Sequence, residues 1–187
     1  MLCDDAGFKI MDSEAGQADF AARTDEEIEL FRYLAARYDR VSIEHVLSGR
    51  GINHIFRFLA ERSGSGELAI IGDKIEQDQP GKAVIEAALS GQSPLGLQAP
   101  EIFVSIYGAV AGNIGLQYLA RGGVVLGGGI APQIIPLLQK GGFLNAFTSK
   151  GGFKNLLEEI PVKVIVNPRA PLIGAARYAL GESAIAQ

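Results

Sequence analysis

The sequence of 187 residues holds one cysteine, Cys3, and two histidines, His45 and His54. A lone cysteine excludes an internal disulfide and a thiolate zinc cluster. The two histidines lack the acidic or cysteine partners of a metal centre, so both read as ordinary helix-face residues and no bound metal or prosthetic group is expected. Long runs of one charge sign are missing as well. Seventeen basic residues against 21 acidic ones leave a formal charge of −4, with the bases scattered, which excludes a nucleic-acid footprint. No export signal is visible: "MLCDDAGFKIM" places two acids early and carries no long apolar core, so the expected compartment is the cytoplasm. Disorder is excluded by 48% hydrophobic and 20% charged residues, a globular balance. The length suffices for one good core.

One apolar run is long enough to weigh against a membrane. "IFVSIYGAVAGNIGLQYLA", Ile102 to Ala120, has no charge, and Gly108 and Gly112 form a G-x-x-x-G. Ser105, Asn113 and Gln117 lower its hydropathy, and an apolar strand follows at once. A buried helix packed closely on a sheet accounts for the glycines, and no membrane partner is expected.

Along the chain, Leu2-Cys3 and Phe8 to Met11 read as two short strands around the turn "DDAG". Thr24 to Tyr38 is the clearest helix, with Thr24 and Glu27 as a capping box and Ile28, Phe31, Leu34, Ala35 and Tyr38 as its apolar stripe. Ser42 caps a short helix that carries Glu44. "SGRG", Ser48 to Gly51, breaks it, and Ile52 to Arg62 is helical again. Ser63 to Pro80 reads as a surface excursion around the apolar piece Leu68 to Ile71. Gly81 to Leu89 is a helix, and Pro100 opens the long buried one. "GGVVLGGGIAP" is a strand, a triple glycine and the start of a helix; such a turn lets backbone NH groups face an anion or a flat ligand. "KGGF" recurs at Lys140 and Lys150 as two helix starts. "VKVIVNP" is a strand and "PLIGAARYAL" a closing helix. The alternation argues for an α/β fold with strands buried under helices.

The loop "DSEAGQADFA", Asp12 to Ala21, has neither helical nor strand period. It sets a carboxylate and an amide, Glu14 and Gln17, among small residues that let a ligand come close. That donor and acceptor set suits neutral polyhydroxy ligands; the other reading is a turn leading into a helix cap.

Taken in order, three stretches resemble the bacterial glucokinases of the sugar-kinase and actin superfamily. "SEAGQADFA" is similar to the family's sugar loop, E-G-G-H-x-D-F-A. "SIEHVLSGRG" is similar to the helix that brings the second sugar carboxylate and turns at S-G-x-G. "GGVVLGGGIAP", with the later "GGF", "IPVKVIV" and "PLIGAARYAL", is similar to the adenosine-side strand and the C-terminal end. The likeness runs from Leu2 to Leu180. It implies an RNase-H-like α/β fold with a mixed sheet and packed helices, of which residues 1–187 are the larger-domain half. It implies ATP-dependent phosphorylation of glucose at the 6-hydroxyl, feeding glycolysis, with Mg²⁺ accompanying the ATP. Glu14, Gln17 and Glu44 line the glucose site in this reading, and Gly127, Gly128 and Gly129 face the adenosine side of ATP.

Two departures qualify the likeness. Gln17 stands where the family has histidine; an amide donates and accepts like a neutral imidazole but never charges. The family's D-x-G-G-T and G-T-G phosphate loops, and the N-D pair with the catalytic aspartate, do not occur, so no catalytic residue is assigned. The expectation is a chain that is inactive alone or dependent on a missing N-terminal half, and that meets that half or a second copy of itself. The competing readings are a non-catalytic sugar-binding or subunit-interaction remnant and, on "LGGGI" alone, an unrelated α/β nucleotide-binding domain.

Overall fold

Ser93 accepts a hydrogen bond from Gly96 N at 2.7 Å, and Pro94 takes the first helical position, where its missing N–H costs nothing. These two residues start the longest helix of a computed structural model that describes residues 2–4, 7–64, 66, 80–91 and 93–180. The helix runs over Pro94–Gln117. It therefore begins ahead of Pro100, the expected opener. Pro100 lies buried inside it and forgoes one bond to the Gly96 carbonyl.

In chain order the described elements are β1 (Leu2–Asp4), β2 (Gly7–Lys9), α1 (Asp25–Ala35), α2 (Ile43–Val46), α3 (Gly49–Ser63), α4 (Pro80–Leu89) and α5 (Pro94–Gln117). There follow β3 (Val124–Leu126), α6 (Ile135–Leu138), α7 (Gly142–Thr148), α8 (Lys154–Glu158), β4 (Val162–Val164) and α9 (Ala170–Ala179). Single 3-10 turns lie at Ala15–Gln17, Ala131–Ile134 and Gly151–Phe153. The expected apolar piece Leu68 to Ile71 falls outside the described residues.

Helix α5 is the core's axis, with α3, α4 and α7 against it. A Cβ on Gly108 would stand 2.1 Å from the Phe143 carbonyl oxygen, and one on Gly112 would stand 2.4 Å from that of Phe147. The G-x-x-x-G thus seats helix α7, not a sheet, which corrects the expectation. Among the described residues α5 is the one helix apolar and long enough to cross a membrane, with a mean hydropathy of 1.2, but 61% of that stretch is buried within the chain itself. Phe103 and Ile106 of α5 meet Leu30 and Leu34 of α1, Ile55, Phe56 and Leu59 of α3, Val84 of α4 and Phe147 of α7 in one cluster.

Helix α1 buries Glu27, Leu30 and Leu34, while Ile28 and Phe31 of the expected stripe are exposed. The reason is Glu27. Its carboxylate accepts from the Arg23 backbone N–H at 2.8 Å and pairs with the Arg23 guanidinium, so a charge can occupy the inner face. Thr24 caps as expected, accepting from Glu27 N at 3.2 Å, but Glu27 answers Arg23 and not Thr24, so the box is not reciprocal. The break expected at "SGRG" is present at Leu47 and Ser48, but Gly49 to Gly51 already belong to α3, which starts three residues earlier than expected. Ser48 Oγ accepts from Gly51 N at 3.0 Å, and a Cβ on Gly51 would meet the Val46 carbonyl carbon at 2.4 Å.

The described strands form two separate pairs. β1 and β2 are antiparallel, with Cys3 opposite Phe8. β3 and β4 are parallel, with Val124 opposite Val162 and Leu126 opposite Val164. A parallel pair needs a crossover, and α6 to α8 supply it. Val124 and Leu126 point into the core and Val125 points out, so one face of the pair is covered, not both. Helix α9 buries none of its residues.

Candidate functional site

The loop of Glu14 and Gln17 is strapped along its length to the segment that enters α2. Phe20 N donates to Val41 O at 3.0 Å, Ile43 N donates to Ala18 O at 2.8 Å, and Asp19 bridges Ser42 in antiparallel fashion. Phe20, 6% exposed, anchors the strap in the core. Arg40 binds the Gln17 carbonyl and reaches Asp19 Oδ1 at 3.0 Å. Small residues then allow one tight turn, Ala15–Gln17, closed by Gln17 N donating to Glu14 O at 2.9 Å.

That turn aims Gln17 at Glu44. The Gln17 side-chain amide donates to a Glu44 carboxylate oxygen. Glu14 opens the same turn, is exposed, and has no side-chain partner among the described residues. Both carboxylates therefore keep acceptor capacity for hydroxyl donors.

Glu44 is held from the other side by an unusual cap. Ser42 N donates to His45 Nδ1 at 3.0 Å, and Ser42 Oγ stands 2.9 Å from the same nitrogen. Here a histidine fills the place that glutamate or glutamine takes in a capping box. His54 and Tyr38 complete the packing behind it: His54 Nδ1 lies 2.8 Å from the His45 carbonyl, and Tyr38 Oη lies 3.0 Å from His54 Nε2. Burial, foremost, holds the His54 pKa below its ordinary value. The two histidines are thus interlocked, not independent helix-face residues.

Glu44 also borders a cleft of about 550 Å³. Ser48, Arg50 and Ile52 line one wall, Gly81 and Lys82 the floor, and Gly129, Ile130 and Gln133 the far wall. The far wall is built after β3, where Gly128 takes φ +94°, open to glycine. Gln133 Nε2 donates to the Gly129 carbonyl at 2.7 Å and fixes the turn. Of the triple glycine, Gly129 lines the cleft while Gly127 and Gly128 lie outside its lining. The structure brings Gln17 to Glu44, and Glu44 to the cleft shared with Gly129.

Arg40, Arg50, Lys82 and Gln133 escaped the sequence reading. Arg50 occupies the variable place of S-G-x-G, and Gln133 stands four residues after Gly129, so each had a faint local signal. Arg40 had none, since its partners lie over 20 residues away. No group of three His, Cys, Asp or Glu residues fit to hold a metal ion occurs among the described residues.

The glucokinase family model matches residues 1–182. Glucokinases of Nostoc punctiforme and of a Synechocystis species are each 43% identical over 182 residues; the match covers 90% of this chain and 53% and 51% of theirs. The chain spans about half the length of the curated relatives it matches. Among solved structures, a glucokinase from an Antarctic psychrotroph superposes with a TM-score of 0.77 at 29% identity, covering 91% of this chain and 50% of that one. A glucokinase from Balamuthia mandrillaris in complex with glucose has the same fold, with a TM-score of 0.73 at 18% identity.

Proposed function

The chain belongs to the glucokinase family, and on that premise we propose that residues 1–187 form the glucokinase-like C-terminal domain of an ATP-dependent glucose kinase, the part that grips the sugar and borders the nucleotide. The reaction served is ATP plus glucose to ADP plus glucose 6-phosphate, in the cytoplasm. The observation that carries the reading is the Gln17 to Glu44 hydrogen bond at the rim of a cleft whose far wall is Gly129. Sugar and nucleotide can meet there without a further pocket.

In this reading Glu14 and Glu44 accept hydrogen bonds from glucose hydroxyls, each worth roughly 1.5–3 kcal/mol. Gln17 orients Glu44 and offers its own carbonyl to a hydroxyl. An analogue lacking a hydroxyl leaves a carboxylate unpaired and is rejected. Gly127, Gly128 and Gly129 lie toward the adenosine side, where only Gly129 reaches the cleft wall. Mg²⁺ arrives with the nucleotide and is written as part of that substrate.

The sequence contains no D-x-G-G-T, no G-T-G and no N-D pair. Phosphoryl transfer rests on holding the γ-phosphoryl in line and neutralising its charge, and a general base adds about 10²–10⁴-fold. This polypeptide by itself therefore binds but does not turn over. A coupled assay with ATP, Mg²⁺ and glucose tests this: the expected rate is indistinguishable from background, and turnover on the order of 10 s⁻¹ that survives contaminant controls contradicts it.

A second reading, a module that binds sugar and another chain without catalysing, is favoured by one observation. Leu172, Tyr178 and Leu180 are each more than 70% exposed on and beside α9, a surface suited to a complementary half or a second copy.

A further inference from the structure

The histidine in the place of a capping-box glutamate is adjacent to Glu44, and its hydrogen bonds tie it to Ser42 and His54. We infer that Tyr38, His45 and His54 are positioning residues for the sugar site, a three-ring clamp that fixes the junction from which Glu44 and Gln17 hang. The inference rests on the sugar-site reading given above for its functional meaning, but not for its geometry.

The hydrogen bonds dictate the tautomers. Ser42 N–H can only donate, so His45 Nδ1 must be the lone-pair nitrogen and its proton sits on Nε2. The His45 carbonyl can only accept, so His54 Nδ1 carries the proton and Nε2 accepts a hydrogen bond from the Tyr38 hydroxyl. His45 thus bonds Ser42 at the start of its own helix, while His54 bonds the His45 carbonyl on one side and Tyr38 on the other. The rings are also packed: Tyr38 lies 4.4 Å from His45 and 5.5 Å from His54, centre to centre. The segment after α1, helix α2 and helix α3 are thereby pinned at one point.

Ser42 is where the pin matters. It is 1% exposed, so its N–H has no access to bulk water. The same residue bridges Asp19, and its neighbour Ile43 holds Ala18. Gln17 on the loop and Glu44 on the helix hang from this one junction. Helix α2 is a single turn and has little of its own to hold it without the cap.

Removing the His45 ring takes away the acceptor of the Ser42 N–H and leaves a buried donor unpaired, so the junction that carries Gln17 and Glu44 loosens.

The test compares the full chain with His45→Gln, which keeps a capping acceptor, and with His45→Ala, which has none. Glucose affinity is measured by calorimetry. His45→Ala is expected to weaken roughly five- to thirtyfold, the size of a lost cap, and His45→Gln to recover most of that loss. If His45→Ala binds as tightly as the parent, or His45→Gln binds no better than His45→Ala, the clamp is refuted. If none of the three binds glucose, the sugar reading fails, and the clamp is judged by nitrogen-15 NMR without sugar. The Gln17 side-chain amide must then shift in His45→Ala and return toward the parent position in His45→Gln; an amide unmoved in His45→Ala refutes the clamp.

Discussion

Gln17 donates its side-chain amide to Glu44 across 27 residues of sequence, and this bond joins the loop after β2 to the helix that borders the cleft. The Gln17 amide spends one N–H on Glu44 and, in the proposed reading, leaves its carbonyl for the sugar. In the family's loop a histidine stands here, and a neutral imidazole offers one donor and one acceptor in a flat ring. Gln17→His should enlarge the glucose-dependent rise in melting temperature. A response equal to or smaller than the parent's would place the difference between these loops elsewhere.

The close seat of α7 on α5 gives a stability prediction independent of ligands. In Gly108→Ala the new methyl stands 2.1 Å from the Phe143 carbonyl oxygen, a backbone atom that cannot swing away. One of the two helices must shift, at about 1–3 kcal/mol or more. With roughly 2–4 °C lost per kcal/mol in a chain of this size, the melting temperature should fall by about 2–12 °C. Gly122→Ala, where nothing lies within 4 Å, serves as the comparison and should melt close to the parent. Equal melting of both variants would mean that α7 does not sit on α5 as described.

Tyr33 predicts an alkaline limit. Burial, foremost, and the hydrogen bond its hydroxyl donates to Glu61 at 2.7 Å push its pKa up to about 12. The folded state thus favours the protonated phenol. That contribution is fully present below the ordinary tyrosine pKa near 10 and is lost as pH rises toward about 12. Urea unfolding of the parent and of Tyr33→Phe should show a gap that narrows across this window. A gap that stays constant with pH would contradict the linkage.

Exposed apolar surface around α9 predicts self-association. Val166, Leu172, Tyr178 and Leu180 are each more than 65% exposed, and a charge of −4 gives only modest repulsion. Light scattering on a sizing column should show mass rising with concentration. Leu172→Glu should shift the distribution toward monomer; a chain that stays at 19.8 kDa at high concentration would refute the prediction.

Local chemistry was the legible part of this fold. Thr24 and Ser42 announced helix starts, the KGGF repeats announced two more, and the triple glycine announced the turn after β3. What stayed hidden depended on distant partners. Pro100 is the stronger helix-start signal by itself, yet Ser93 and Pro94 start the helix earlier because a serine cap is available there. Ile28 and Phe31 outrank Glu27 in hydrophobicity, but Arg23 neutralises Glu27 and lets it take the inner face. The glycines of α5 announced a close neighbour without saying that it is a helix. Glu14, Gln17 and Glu44 were singled out as candidates through resemblance in order and spacing. The Gln17 to Glu44 bond, the Arg40 strap and the histidine clamp were not, since each joins segments whose separation only the fold determines.

The sugar grip stands or falls on Glu44. Glucose-dependent shifts in melting temperature, compared between the parent chain and Glu44→Ala over the same glucose range, measure it directly. At a glucose concentration about a hundred times the dissociation constant, a ligand that binds only the folded chain contributes roughly 2.7 kcal/mol, a shift of several degrees. The account predicts that the parent rises by that amount and that Glu44→Ala does not respond. Equal responses in the two proteins would contradict the assignment of Glu44 to the sugar site.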